Sequence, residues 1–443
     1  MLRNDFFTTL QSEQQLLIVL LVPNEQKKTY FEKEFTATNV VFEIINEPSH
    51  SALDTLYSFL KKNLVLTHTL NLKRNNALTV DKNYGKYFTE LLFSRLFANR
   101  IGRALARSFR SPFIKSRAYS ELLAKYKPTL ILSAHIFGEA EATLLREAKR
   151  RGIKTIGLIN SWDKITSRGM AWVLPDKLLV HNELVRDEAV KYLDIKAKDV
   201  TIIGIPHYDI FFRGRPTRKE LFFQSIGLDP DKKIILFCPM GATYCKLDAT
   251  YLNILVEFQL KQQISDDFQI LVRFPPNDDV DLEGLEHPER IIIQRPGIRF
   301  TKERGIDWDM NAKDIQNLFD TLYYTSILIC PPSSISIDAA VFDKPIINIK
   351  FAKYDTIQPN SNMYFESEHY GKLVKTGGIR VVRDELDLLN SINAYYNDPR
   401  LEAKERARIV RQQCWQTDGQ SGMRAARFII DYLSIKTTER NDA

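Results

Sequence analysis

Three serines and an aspartate fall within six residues of one another, Ser333, Ser334, Ser336 and Asp338, in the stretch CPPSSISIDAAVFDKPIINI. The run before them, TSILI, is short, apolar and partly β-branched, which predicts a buried parallel strand. Pro331 and Pro332 end that strand, Ser333 or Ser334 is placed to cap a following helix, and KPIINI predicts the next strand. A strand, a hydroxyl-rich turn and a helix start together suit an anion, most often a phosphate. Asp338 follows Ser334 by one turn on the same face, where a carboxylate can accept hydrogen bonds from ribose hydroxyls. Two more strand ends carry matching groups. PMGATY supplies Gly241 for close backbone approach and the Thr243 hydroxyl, and VRFPPND places Arg273 as a forked phosphate donor. The plainer alternative is a structural serine cap and an ion-paired surface arginine.

The first half carries a different chemistry. LSAHIFGE sets His135 just beyond a strand with Glu139 one helical turn away. A histidine there suits a general base toward a hydroxyl, with Glu139 orienting it or acting in its place; a histidine that merely caps the helix is the alternative. NSWDKITSRG reads as a polar functional loop in which Asp163, Lys164 and Ser167 contact an acceptor, or as a loop held by Trp162. The acids of DWD, Asp307 to Asp309, have metal-binding spacing, yet Asn311 and Asp314 just beyond them predict a capping box, so no metal is expected. Walker, GxGxxG, GxSxG and HExxH patterns are all missing.

The elements that must position these groups alternate. TLILSA, KTIGLIN, KLLVHN and VTIIGIP read as strands separated by helices, and a second series runs from KIILFCPM through FQILVRFPP, RIIIQRP and SILICPP. Such a rhythm predicts βαβ units and doubly wound parallel sheets, with ligands at the carboxyl ends of the strands. Phe211 to Leu228 breaks the apolar pattern and reads as a linker. The expected organisation is an acceptor-side domain over 1–212, a nucleotide-donor domain over 213–405, and helices over 406–443 that cross back to the first domain. Four cysteines without a CxxC pair give no disulfide framework or zinc site, and a reducing cytoplasm is expected. LLIVLLVP is too short to span a bilayer and reads as a first strand.

The formal charge of +7 is unevenly spread: from Leu91 to Lys127 there are nine Lys or Arg and one acid, Glu121. On a helix, Arg95, Arg100, Arg103, Arg107 and Arg110 share an arc of about 140°, opposite Phe97, Ile101, Leu105 and Phe109. Two readings stay open. The arginines face an anionic membrane or acceptor, or they form a solvated face on a core-packing helix. Nucleic acid is not an expected partner.

The segment DIQNLFDTLYYTSILICPPSSISIDAAVFDKPIINI resembles the donor site of GT-B-fold enzymes, nearest the CDP-glycerol glycerophosphotransferase and capsule-polysaccharide transferase group. SWDKITSRG, the turn at Gly204, Pro206 and Asp209, and the closing TDGQSGMRAARFIIDYL are similar to the same group. The resemblance implies two Rossmann-like domains facing a cleft and a metal-independent transfer from a nucleotide-sugar donor to a surface-glycan or lipid-linked acceptor, inverting where a single displacement is assisted by a base. It places Ser333, Ser334 and Ser336 on the diphosphate, Asp338 on the ribose, and Thr243 and Arg273 in the donor pocket. No cofactor is implied beyond the nucleotide co-substrate. A CDP-activated polyol-phosphate transferase, a non-hydrolysing UDP-sugar 2-epimerase and a catalytically silent glycan-binding module are the rival readings. The strand end Pro-Pro, where the glycerophosphotransferases carry Asp-Tyr, speaks against a CDP-glycerol donor.

Overall fold

The computed structural model describes residues 1–45, 53–79, 81–113, 118–300, 308–351 and 362–441. Asp307 and the side chain of Arg110 lie outside the described residues. The chain divides into two compact units, Met1–Asp209 with Cys414–Ala443, and Ile210–Gln413.

In the first unit, β1 (Ile18–Val22) and β2 (Val40–Ile44) form a parallel pair. A separate parallel sheet holds β3 (Leu130–Ser133), β4 (Lys154–Leu158), β5 (Lys177–Val180) and β6 (Val200–Ile202) in chain order. Each strand therefore adds to the same edge. β1 and β2 are hydrogen-bonded to each other and not to this sheet.

The final helix, Ser421–Asn441, belongs to this first unit. Ala425, Ala426 and Ile429 pack with Phe6, Phe7 and Leu10 of helix Asp5–Ser12 and with Ile203. The Gly204-Pro206-Asp209 turn receives its start: the buried Asp209 carboxylate accepts from the amides of Ser421 (2.9 Å) and Gly422 (2.7 Å). Gly204 has φ +88°, and a Cβ there would lie 2.3 Å from Ser421 Oγ, so both conformation and space require glycine.

The second unit carries β7 (Lys233–Phe237), β8 (Phe268–Arg273), β9 (Ile291–Gln294), a short antiparallel pair β10 (Ile298–Arg299) and β11 (Trp308–Asp309), then β12 (Thr325–Cys330), β13 (Ile346–Ile349) and β14 (Arg380–Val382). The six-stranded parallel sheet runs β14-β13-β12-β7-β8-β9. Alternate residues Ile235, Phe237, Ile270, Val272, Ile327, Ile329, Ile347 and Ile349 share one core with helix Asp248–Leu260. Their neighbours Ile234, Leu236, Leu271, Leu328 and Ile346 are equally buried, as expected for strands covered on both faces. Strand order reverses between β7 and β12, so the carboxyl ends of these two strands flank the switch point where open α/β sheets bind ligands.

The expected linker is instead part of this unit. Its polar run surrounds helix Lys219–Ile226, whose Phe222 and Phe223 are buried against Tyr324, and Thr217 donates through N and Oγ1 to Asp320.

The basic helix, Arg100–Phe113, turns the opposite way from a charged outer face. Arg103 and Arg107 point inward and share Asp194, at 2.6 to 2.9 Å, while also donating to the carbonyls of Leu64, Ala171 and Leu193. Arg95 and Arg100 are exposed. The arginines thus do not form one membrane-facing row; buried carbonyls and one carboxylate claim two of them.

Candidate active site

Beside the switch-point strand β7, β8 ends in Arg273, which is almost fully buried. Its Nη1 donates to Gln294 Oε1 at 2.9 Å, whereas the buried Nη2 has no partner. Burial pushes this guanidinium down to about 10, with the charges of Cys238, Asp314 and Asp338 opposing that shift. Asp338 belongs to helix Ile335–Val341, which follows β12. A buried guanidinium with an open donor is costly unless an anion completes it.

Ser333 and Ser334 sit at the turn between β12 and that helix. Ser334 occupies the cap position, but its backbone is already helical and its hydroxyl makes no capping bond, so the expected serine cap is not formed. Ser336 needs a larger correction. It is fully buried, within reach of Tyr370 Oη (3.1 Å), Asn348 Nδ2 (3.3 Å) and Cys330 Sγ (3.6 Å). It braces the turn from inside rather than lining a pocket. Tyr370 is the hub of that network, since its hydroxyl donates to Asn348 Oδ1 at 2.6 Å and accepts from the Ser333 amide at 3.2 Å.

The loop after β7 is clamped. Gly241 has φ +89°, and a Cβ would meet the Asp278 carboxylate at 2.7 Å. Asp248 accepts from the amides of Met240 and Gly241, and Asp278 accepts from Thr243 N and Oγ1. Burial pushes Asp248 up to about 7, against the pull of those two amides. Gly241 and Thr243 are thus where the sequence places them, with Thr243 committed to Asp278. Asp278 and Gln294 carried no sequence signal, because each acts through a partner on another element more than twenty residues away.

In the first unit, His135 follows β3, and its Nε2 lies 2.9 Å from Glu141 Oε1. The expected partner, Glu139, is the first residue of helix Glu139–Arg150; Glu141 is the third, and a carboxylate at that position reaches back toward the residues before the helix. Gly at 138, three before Glu141, was the available signal. A Cβ on Gly138 would fall 2.0 Å from Glu141 Oε2 and 2.9 Å from His135 Cε1. Burial works to raise Glu141, but the hydrogen bond and charge of His135, together with Lys61, hold it below the ordinary value. An ionised Glu141 can only accept, so Nε2 carries the hydrogen of this bond.

NSWDKITSRG is a short helix, Lys164–Arg168, rather than an open loop. Asp163 accepts from Ser161 Oγ and, at 3.1 Å, from Ser167 Oγ; the buried Ser167 also gives its carbonyl to Lys73 at 3.0 Å. Lys164 is pushed down, first by burial and then by Arg168, with Asp163 and Glu141 opposing. Asn311 and Asp314 form the expected capping box, and Asp309 lies in β11.

The class is a chain of two parallel α/β units, one of them with Rossmann-type strand order. The sequence profile of the family described as CDP-Glycerol:Poly(glycerophosphate) glycerophosphotransferase matches residues 160–431, and the chain belongs to that family. It is 23% identical over 246 residues to a teichoic acid poly(ribitol-phosphate) polymerase of Bacillus spizizenii strain W23, covering 53% of this chain and 37% of that protein. A teichoic acid glycerol-phosphate primase of the same organism is 26% identical over 208 residues, covering 47% of this chain and 48% of the primase. The chain thus spans less than half the length of either relative. A crystal structure of a UDP-N-acetylglucosamine 2-epimerase is similar with a TM-score of 0.49 and 11% identity, covering 95% of this chain and 96% of that one.

Proposed function

We propose that the chain transfers a phosphate-linked polyol, or a sugar, from a nucleotide-activated donor to a hydroxyl of a cell-envelope polymer. Family membership favours the polyol phosphate over the sugar, despite the Pro-Pro strand end. The observation that carries the reading is the buried Arg273 with its open Nη2 at the end of β8, the strand beside β7. In this reading Arg273 takes a donor phosphate oxygen, the half-buried Ser333 and exposed Ser334 line the diphosphate, and Asp338 accepts from the ribose. The guanidinium, not a divalent ion, neutralises charge on the leaving group.

On the acceptor side we assign His135 Nδ1 as the base, with Glu141 stabilising the imidazolium and Lys164 near the acceptor. In polyol-phosphate transfer the acceptor oxygen bonds to the β-phosphorus, the bond from that phosphorus to the bridging oxygen breaks, CMP leaves and the hydroxyl proton passes to His135. In sugar transfer the oxygen attacks the anomeric carbon and a nucleoside diphosphate leaves. A nucleotide donor places the reaction in the cytoplasm.

The test is a thermal-shift series with CMP, CDP, UDP, GDP, ADP and dTDP on the wild type and on Arg273→Met. A nucleotide at 100 times its dissociation constant stabilises the fold by about 2.7 kcal/mol. One nucleotide should shift the wild type and not the variant, and the nucleotide released in turnover, CMP or a diphosphate, separates the two transfers. No shift with any of them rejects the donor site and leaves a silent binding module.

A further inference from the structure

We propose that the first unit carries a second ligand site, a basic hollow that takes a small organic phosphomonoester. The hollow has a volume of about 440 Å³, within the range of small-molecule pockets. Four cations line it: Arg107 from helix Arg100–Phe113, and Arg146, Lys149 and Arg150 from helix Glu139–Arg150. Trp172, Val173 and Leu174, which lead into β5, supply the remaining wall. Among the described residues that line it, none is an acid.

Spacing explains how the cations converge. Arg146, Lys149 and Arg150 stand at i, i+3 and i+4, so they share one side of their helix. The intervening Glu147 turns the other way, where it accepts from Tyr119 N and Ser120 Oγ. Attraction to the carboxyl end of the helix accounts for Lys149 and Arg150, both in its last turn. It does not account for Arg146, which is buried a turn earlier, nor for Arg107 and Trp172, which arrive from other elements. Like charges on one helix side repel, and an anion between them removes that cost.

The chemistry of the wall selects the ligand. Arg107 already donates to Asp194 and two carbonyls, so it adds fixed charge. Lys149 meets Asp176 at 2.7 Å, but both side chains are 38% exposed, and such a surface pair opens readily for a ligand. A phosphomonoester presents three terminal oxygens and close to two negative charges, which several cations around one hollow can share. A diester has fewer of both. The apolar wall of Trp172, Val173 and Leu174 suits the carbon body of the ester, which inorganic phosphate lacks. Arg150 and Leu174 lie toward the amino ends of β4 and β5, whereas His135 follows the carboxyl end of β3. A five-residue strand separates those two edges of the sheet by about 16 Å. Neither the donor nor the base assignment is needed for this second site.

Calorimetric titration of the full chain with phenyl phosphate, diphenyl phosphate and inorganic phosphate tests it, in the wild type and in Arg273→Met, where the proposed donor site is disabled. Phenyl phosphate should bind Arg273→Met at least about tenfold more tightly than either of the other two probes. Adding Arg150→Gln should weaken it by about tenfold. Adding Val173→Phe, which narrows the hollow without changing its charge, should do the same. Arg150 is exposed, so its variant keeps the melting temperature and remains readable if the larger ring disturbs folding. In hydrogen exchange, phenyl phosphate should slow the amides of 139–150 and 171–176. Absence of binding to Arg273→Met overturns the proposal, as does an affinity indifferent to both added variants or protection confined to 330–342. Diphenyl phosphate binding as tightly as phenyl phosphate would show that the terminal oxygens are not read, and also overturns it.

Discussion

The guanidinium of Arg273 has one nitrogen satisfied by Gln294 and one left open in a water-poor position. Its place at the end of a strand was legible from VRFPPND; its burial and its half-finished bonding were not, because Gln294 lies on the next strand. The same limit hid Glu141, although Gly138 followed by a glutamate three residues on is a local pattern. Glu141→Gln should lower kcat by about ten- to a hundredfold while the nucleotide-induced rise in melting temperature is unchanged. Parallel loss of both would mean the pair is structural. Asp248 gives a pH prediction. Its folded value of about 7 lies above the ordinary carboxylate value of 3.8, so the folded state holds the proton across that window. The stability it contributes is full below about 4 and is lost as pH rises through about 7. Asp248→Asn should therefore gain on the wild type between pH 5 and about 8 in side-by-side melting curves. A constant gap over that range rules the titration out.

Periodicity predicts that an element exists and that its two sides differ, but the side that turns inward is settled by what lies beneath. Helix Arg100–Phe113 shows this: its amphipathic pattern is plain in the sequence, yet Asp194 and the carbonyls of Leu64, Ala171 and Leu193 draw the arginines in. Burial works to lower Arg107, and the hydrogen bond and charge of Asp194 oppose it. Asp194→Ala strands two arginines in a part of the fold that water scarcely reaches, and should cost about 3 kcal/mol in chemical unfolding. A loss under about 0.5 kcal/mol would show the pair to be solvated. Helix Lys164–Arg168 illustrates the other kind of miss. Its polar sequence reads as loop, but the Asp163–Ser167 bond closes its single turn, and Ile165 and Thr166 are buried beneath it.

Asp209 joins parts of the first unit that are more than two hundred residues apart, holding the start of the final helix by two amides. Asp209→Ala should destabilise by about 1 to 3 kcal/mol. Hydrogen exchange should quicken in 1–209 and in the final helix and stay unchanged over 210–413; uniform acceleration would contradict the division into two units. The sequence by itself determined the strand–helix alternation, the switch-point turn and the family, because each depends on residues adjacent along the chain and on a short repeat period. Tertiary structure decided the rest. It chose the strand order of the first sheet, put Ser336 in the core, joined His135 to Glu141, and turned the arginine side of one helix inward. Each of those outcomes is a contest between burial and hydrogen bonding among groups far apart in sequence, and a local pattern holds no record of the partner that wins it.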